Sequence, residues 1–242
     1  MNTENALEVQ NLTKEFGSLA AVDRVSFEVG TDTIVGLAGP NGAGKTTLFN
    51  LLSGFVNPTE GDVELFDQSV IGKSPQQIVK LGLGRTFQNS RVVPTMTVFE
   101  NIMISSLFGQ GMSKKKAIDE TNKIVDQFDL HGLVDVRGND LDLFEMKQVT
   151  LARVYATDAD VLLLDEPFAG LNEEEINGMI DQIKTTQGIS NSTILIIDHN
   201  FEMLVEFAKR IIILDSGNIL ADDTPERART NDEVKRVYLG EQ

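Results

Sequence analysis

The sequence predicts an α/β fold, and three observations carry that expectation. An apolar strand-like run, Ile34 to Ala38, enters a glycine-rich turn, and a helical pattern with Leu48, Leu51 and Leu52 on one face follows. Two further apolar runs, 161–166 (VLLLDE) and 193–198 (TILIID), read as buried core strands. Residues 7–12 and 20–29 instead alternate apolar and polar side chains, as half-buried strands do. The expected architecture is a mixed or parallel core sheet, an antiparallel β portion at the N-terminal side, and a helical insertion over about residues 90–155, within one domain spanning 1–242.

The turn after the first core strand reads Gly39-Pro40-Asn41-Gly42-Ala43-Gly44-Lys45-Thr46 and fits G-x-x-x-x-G-K-[ST] between a strand and a helix. Its glycines let backbone N–H groups converge on phosphate oxygens, and the start of the helix adds the positive end of its dipole. This is the phosphate-binding loop of a P-loop NTPase core. Lys45 is expected on the β- and γ-phosphates, Thr46 on Mg²⁺, and Thr47 beside it within the nucleotide site.

The remaining elements follow in order. Phe16 lies in a turn-like stretch between the first two strands, where its ring either stacks on a base or packs locally. A turn at 57–61 leads to a short strand, 62–66. Residues 75–81 read as a helix with proline near its start, and 84–88 as a strand ending in Gln88. From 97 to 137 the pattern turns helical, with Ile118, Ile124, Val125 and Phe128 on one face and a flexible link at Gly109-Gln110-Gly111. The run 161–166 ends in two carboxylates: Asp165 is placed to reach Mg²⁺ beside the P-loop, and Glu166, projecting differently, to act as general base. Asn172 caps a helix over 172–187 that carries three glutamates in its first turn. His199 follows a core strand at its carboxyl end, where ligands of open α/β sheets gather, and is placed to contact a γ-phosphate. A helix at 200–209, a strand at 211–215 and a turn at 215–218 complete the sheet, and a polar helical tail occupies about 220–242.

Composition narrows the function classes. The formal net charge is −16, from 37 acidic and 21 basic residues, and such a surface repels nucleic acid and anionic lipid. Without cysteine there is neither a disulfide nor a thiolate metal site. No apolar run approaches the ~20 residues of a membrane span, and the N-terminus lacks a secretion signal.

The order of P-loop, Gln88, helical stretch, VLLLDEP and IIDH resembles the nucleotide-binding subunit of an ABC transporter over nearly the whole chain. The stretches GLGRTFQNSRVVPTMTVFENIMI and LLLDEPFAGLNEEE are most similar to the ATPase subunits of branched-chain amino acid importers. The resemblance implies an ATP- and Mg²⁺-dependent ATPase, cytoplasmic and peripheral on the inner face of the cell membrane, docked on permease subunits. It implies adenine stacking for Phe16, Mg²⁺ or water sensing and permease coupling for Gln88, and the catalytic base for Glu166. It makes Ala169-Gly170-Leu171-Asn172 the loop touching the opposite subunit and His199 the switch histidine. In the family two subunits pack head to tail, each ATP lying between one P-loop and the other chain's signature, LSGGQ.

At the signature position this chain reads Leu141-Asp142-Leu143-Phe144-Glu145, in a register fixed by the following MKQVTLAR. Asp142 replaces the serine that donates to the γ-phosphate, Leu143 and Phe144 replace glycines, and Glu145 replaces glutamine. Like charges about 4 Å apart repel by roughly 4 kcal/mol at an effective dielectric of about 20. Asp142-x-x-Glu145 is also a capping box, so the helix is expected to persist while the phosphate contact is lost. The expected assembly is a heterodimer with one competent site, beside a second ATPase that brings an intact signature. The alternatives are an ATP-binding regulatory or scaffold protein with little turnover, and a soluble ATPase outside transport.

Overall fold

Chain direction reverses first at Gly17-Ser18, where β1 (Asn5–Phe16) turns into β2 (Leu19–Gly30) and pairs with it antiparallel. In the computed structural model, which describes residues 5–88, 92–109 and 111–239, both strands are longer than their alternating segments. Then come β3 (Ile34–Ala38), α1 (Lys45–Leu52), β4 (Glu60–Leu65) and the two-residue β5 (Gln68–Ser69). The strands β2-β1-β4-β5 form a four-stranded antiparallel sheet in that order. The antiparallel β portion expected from sequence is therefore present, with β5 as an addition too short to leave a pattern.

After α2 (Pro75–Lys80), whose Ser74 and Gln77 form a capping box, β6 (Leu83–Arg85) is shorter than expected. Gln88 lies in the bend beyond it rather than at a strand end. Three helices follow: α3 (Val98–Gly109), α4 (Lys114–Gln127) and α5 (Leu143–Tyr155). The buried face of α4 runs through Ala117, Thr121, Ile124 and Val125 to Phe128, while Ile118 is only half-buried. Gln110 of the expected flexible link, and residues 89–91 of the stretch after β6, lie outside the described residues.

The second half alternates strand and helix: β7 (Val161–Asp165), α6 (Glu173–Ser190), β8 (Thr193–Ile197), α7 (Phe201–Phe207), β9 (Arg210–Asp215) and β10 (Asn218–Asp223). It closes with α8 (Pro225–Thr230) and α9 (Asp232–Leu239). Residues 218–223 thus form an edge strand, and the helical tail begins at Pro225 rather than near 220. The six strands order as β10-β9-β3-β8-β7-β6, parallel except for β10. β8 runs between β3 and β7, so Asp165 lies one strand removed from the strand that leads into the P-loop.

Both faces of this sheet are buried, which is why its strands read as unbroken apolar runs. Ile34, Leu162, Leu164, Ile194, Ile196, Ile211 and Ile213 face a core shared with α3 to α7. The intervening Val35, Leu37, Leu163, Leu195, Ile197, Ile212 and Leu214 face a second core with α1 and the antiparallel sheet. Each such side chain contributes about 1.5–3 kcal/mol by leaving water.

A buried polar residue ties α3 to the segment before it. Asn101 is 0% exposed. Its Oδ1 accepts from Val93 N at 2.7 Å, and its Nδ2 reaches Val93 O, Met96 O and Thr97 O at 3.1, 3.2 and 2.9 Å. Replacing Asn101 by Ala strands the Val93 N–H, while Val93 O, Met96 O and Thr97 O keep bonds from Met96 N, Gly138 N and the residue-101 N–H. We expect a loss of about 1–3 kcal/mol in urea unfolding, the cost of one stranded buried group. A loss under about 0.5 kcal/mol, the range of an ordinary surface substitution, is the result that contradicts this role.

Candidate functional site

Parallel pairing brings the carboxyl ends of β3, β8 and β7 to one edge. The loop leaving β3 needs its glycines. Gly39, Gly42 and Gly44 have φ of 151°, 81° and 104°. A Cβ on Gly39 would run into the Leu214 carbonyl, and one on Gly44 into the Ala21 carbonyl. Asn41 and Gly42 are exposed at the loop tip, Ala43 N–H closes a turn onto Pro40 O at 3.2 Å, and Thr46 and Thr47 open α1. The N-cap of α1, Gly44, supplies no side-chain cap, so the first turn keeps donors for an external anion. Lys45 is 8% exposed, and its Nζ donates to Gly39 O at 2.6 Å and Pro40 O at 2.9 Å. Burial pushes its pKa down, while Glu166, Asp198 and Asp165 oppose that shift. The arrangement is a cradle of backbone donors with a cation at its base, suited to a polyphosphate.

Across β8, Asp165 is 5% exposed at the end of β7. Glu166 leaves the strand in a left-handed conformation, φ 48°, unusual for a residue with a side chain. Its N–H is held by Ile197 O at 2.9 Å, and its Oε2 accepts from Gln88 Nε2 at 2.7 Å. Gln88 and Glu166 are therefore in direct contact. His199 is 63% exposed beyond β8, its Nδ1 3.6 Å from Asp198 Oδ1. Phe16 is 52% exposed, with Lys14 Nζ 5.2 Å from its ring centroid. The ring is half-exposed rather than packed between the strands, and the Lys14 ammonium lies over it.

Three site residues had not been singled out from sequence. Arg85 donates to Asp165 Oδ2 at 2.9 Å. Asp198 is 1% exposed, accepts from Asn200 N at 3.0 Å through Oδ1, and has its pKa raised by burial. Lys147 of α5 is 7% exposed and donates to Glu166 O at 3.2 Å, with its pKa lowered by burial. Each stands next to a recognised motif, in GRTFQ, IIDH and MKQVTLAR, and that adjacency was the available signal.

The N-terminus of α5 contrasts with that of α1. Asp142 is its N-cap: the carboxylate accepts from Glu145 N at 2.8 Å, and Glu145 Oε2 accepts from Asp142 N at 2.9 Å. The expected capping box is present, and two carboxylates occupy the end of this helix. Leu143 lies within contact distance of Gly170, in the Ala169 to Asn172 loop, and Phe144 reaches towards Gly178 on α6.

Comparison with known proteins adds context to this geometry. A family model described as ABC transporter matches residues 22–169. The chain is 37% identical over 250 residues to the high-affinity branched-chain amino acid transport ATP-binding protein LivG of Escherichia coli K12, covering 97% of this chain and 98% of that one. It is 34% identical to the corresponding BraF of Pseudomonas aeruginosa, covering 97% and 98%. It is 32% identical to the lipopolysaccharide export system ATP-binding protein LptB of Haemophilus influenzae, covering 98% of each. Among solved structures, a cassette of an ABC transporter in its ADP conformation superposes with a TM-score of 0.88 at 26% identity, covering 99% of this chain and 100% of that one. A nucleotide-free cassette superposes with a TM-score of 0.86 at 26% identity, covering 98% and 100%.

The cap on α5 yields a direct prediction. Asp142→Ala should lower stability by about 1 kcal/mol in denaturant unfolding, whereas Asp142→Ser, which also caps, should cost only a few tenths. Equal losses for the two variants contradict the cap.

Proposed function

The chain belongs to the ABC transporter family, and on that premise we propose that it is the ATP-hydrolysing subunit of an amino-acid importer. It works as one half of a heterodimer on permease subunits at the inner face of the membrane. Family membership makes it an ABC-type ATPase; relatives named for branched-chain amino acid transport, at 34–37% identity over nearly full length, support the cargo class. No helix among the described residues is long and apolar enough to cross a membrane, so attachment falls to partner chains.

In this reading Phe16 stacks on adenine, and the backbone of Gly39 to Gly44 with Lys45, Thr46 and Thr47 holds the phosphates. The Thr46 hydroxyl and the Asp165 carboxylate are hard oxygen donors suited to Mg²⁺, which binds through one or two such groups plus phosphate oxygens. Bound there, Mg²⁺ neutralises charge on the phosphoryl oxygens. Lys45 is released from Gly39 O and Pro40 O to the phosphates. Glu166 accepts the proton of the attacking water, Gln88 orients Glu166 through their hydrogen bond, and His199 donates to the γ-phosphate. Arrival of nucleotide requires Gln88 to share Glu166 with that water.

The capping box of α5 carries the heterodimer reading. The helix end that would face a partner's γ-phosphate is already occupied by the carboxylates of Asp142 and Glu145. This chain's own P-loop pairs with an intact signature from a different subunit and forms the competent site. The opposite site is weak.

Purified alone, the chain should bind Mg²⁺-ATP and hydrolyse it at background rates. Combining Asp142→Ser, Leu143→Gly, Phe144→Gly and Glu145→Gln should raise turnover of the assembled complex. Unchanged turnover in a correctly folded complex contradicts the asymmetry. Glu166→Gln should keep ATP binding and lower the complex's turnover by about 10²-fold or more, the usual contribution of a general base. Near-normal turnover removes Glu166 from that role.

A further inference from the structure

Arg85 is buried, with its side chain 5% exposed, and the functional reading above gives it no role. Its guanidinium reaches in two directions. One terminal nitrogen donates to Asp165 Oδ2 at 2.9 Å. The other donates to Asn50 Oδ1 and Ser53 Oγ, both at 2.8 Å. Asn50 lies in α1, and Ser53 is that helix's C-cap. The rings of Phe49, Phe55 and Phe87 stand 5.6, 5.8 and 5.0 Å from the guanidinium carbon. They restrict its orientation through cation–π contact and exclude water from its faces.

The geometry points to Arg85 as the positioning residue of the metal site, fixing the Asp165 carboxylate relative to the helix that presents Thr46. The inference rests on the reading above that Asp165 and Thr46 hold the divalent cation. α1 begins with Lys45 and Thr46 and ends at the groups Arg85 grips, so one rigid side chain spans from the helix to the end of β7. A planar fork suits this task, because its two terminal nitrogens can serve different acceptors at fixed angles, which a lysine cannot do. With one carboxylate oxygen held by Arg85, the Asp165 side chain has a defined rotation before any ligand arrives. Partners that orient a metal-binding carboxylate in this way typically change affinity by about 10–100-fold when removed.

The test is Mn²⁺ binding to the full chain in the presence of ADP, followed by electron paramagnetic resonance, with metal-free ADP affinity measured on the same samples. Arg85→Met should weaken Mn²⁺ binding by about tenfold or more and leave metal-free ADP affinity within about twofold. Added to Asp165→Asn, it should cause no further loss, because Arg85 acts through Asp165. Should Arg85→Met fail to fold by circular dichroism, Arg85→Gln, which is shorter but keeps a polar amide without charge, takes its place with the same expectation. Unchanged or tighter Mn²⁺ binding overturns the inference, as does an equal additional loss in the Asp165→Asn background. If Asp165→Asn alone leaves Mn²⁺ affinity unchanged, the metal reading of Asp165 fails. If Asp165→Asn weakens the metal and Arg85→Met does not, the role of Arg85 alone fails.

Discussion

The parallel register of β3, β8 and β7 is the constraint on which the rest of the structure depends. Ile34 pairs with Ile194, and Val161 with Thr193, so the three strands end at nearly the same level. Beyond the ladder, Glu166 N–H still bonds Ile197 O. That extra bond anchors the first residue outside β7 while its backbone turns into the left-handed region. A normal extended residue there would continue the strand's alternation. The left-handed turn re-aims the carboxylate, which meets Gln88. Such a conformation costs about 1–3 kcal/mol and persists where its surroundings over-determine it.

Three buried charges at this edge are partnered, whereas Asp198 keeps one buried carboxylate oxygen, Oδ2, without a hydrogen bond. Asp165 faces Arg85, Lys45 faces loop carbonyls, and Lys147 faces the Glu166 carbonyl. Replacing such a pair with apolar groups can be neutral, but removing one member typically costs about 3–5 kcal/mol, because the other is left buried and unpaired. The edge therefore behaves as a unit. Changing one of these residues is felt by its partner, and single-residue effects within it will not add. Lys45, like Lys147, presently meets neutral carbonyls rather than a carboxylate, and its acceptors lie at the loop's own base. An arriving phosphate offers it a charged acceptor, so the exchange favours the ligand.

Residues whose meaning lies in a local chain pattern could be read from sequence. The spacing from Gly39 to Thr46 specifies a loop and its contents, and Asp142-x-x-Glu145 specifies a cap, because the partners are three residues apart. The buried strands were visible because both their faces are apolar. Arg85 was not visible, because its partner Asp165 is 80 positions away and only the β6–β7 pairing brings them together. The interposition of β8 between β3 and β7 was missed for a similar reason: strand order is a long-range property without a local signature. β10 was missed because NILADD is an edge segment, acidic and half-exposed, lacking the apolar alternation of a core strand. It is held instead by its ladder to β9 and by Arg210, whose Nε donates to Asp222 Oδ1 at 2.6 Å.

The two helix ends on which the functional reading turns obey one rule and reach opposite outcomes. Both α1 and α5 begin with unsatisfied backbone donors, which favour negative charge. At α1 the preceding residue is a glycine in a left-handed conformation, so the chain itself supplies no acceptor. At α5 the chain supplies Asp142, and Glu145 completes a reciprocal pair. An internal carboxylate competes with any external anion for the same donors, and it does so without the translational cost of binding. It also adds repulsion against a phosphate. The aspartate and glutamate of this capping box suit the helix as a folded element and disfavour an external anion at its end. Side-chain capping and anion binding are opposed uses of the same backbone groups: α5 is committed to the first, while α1 leaves its donors open.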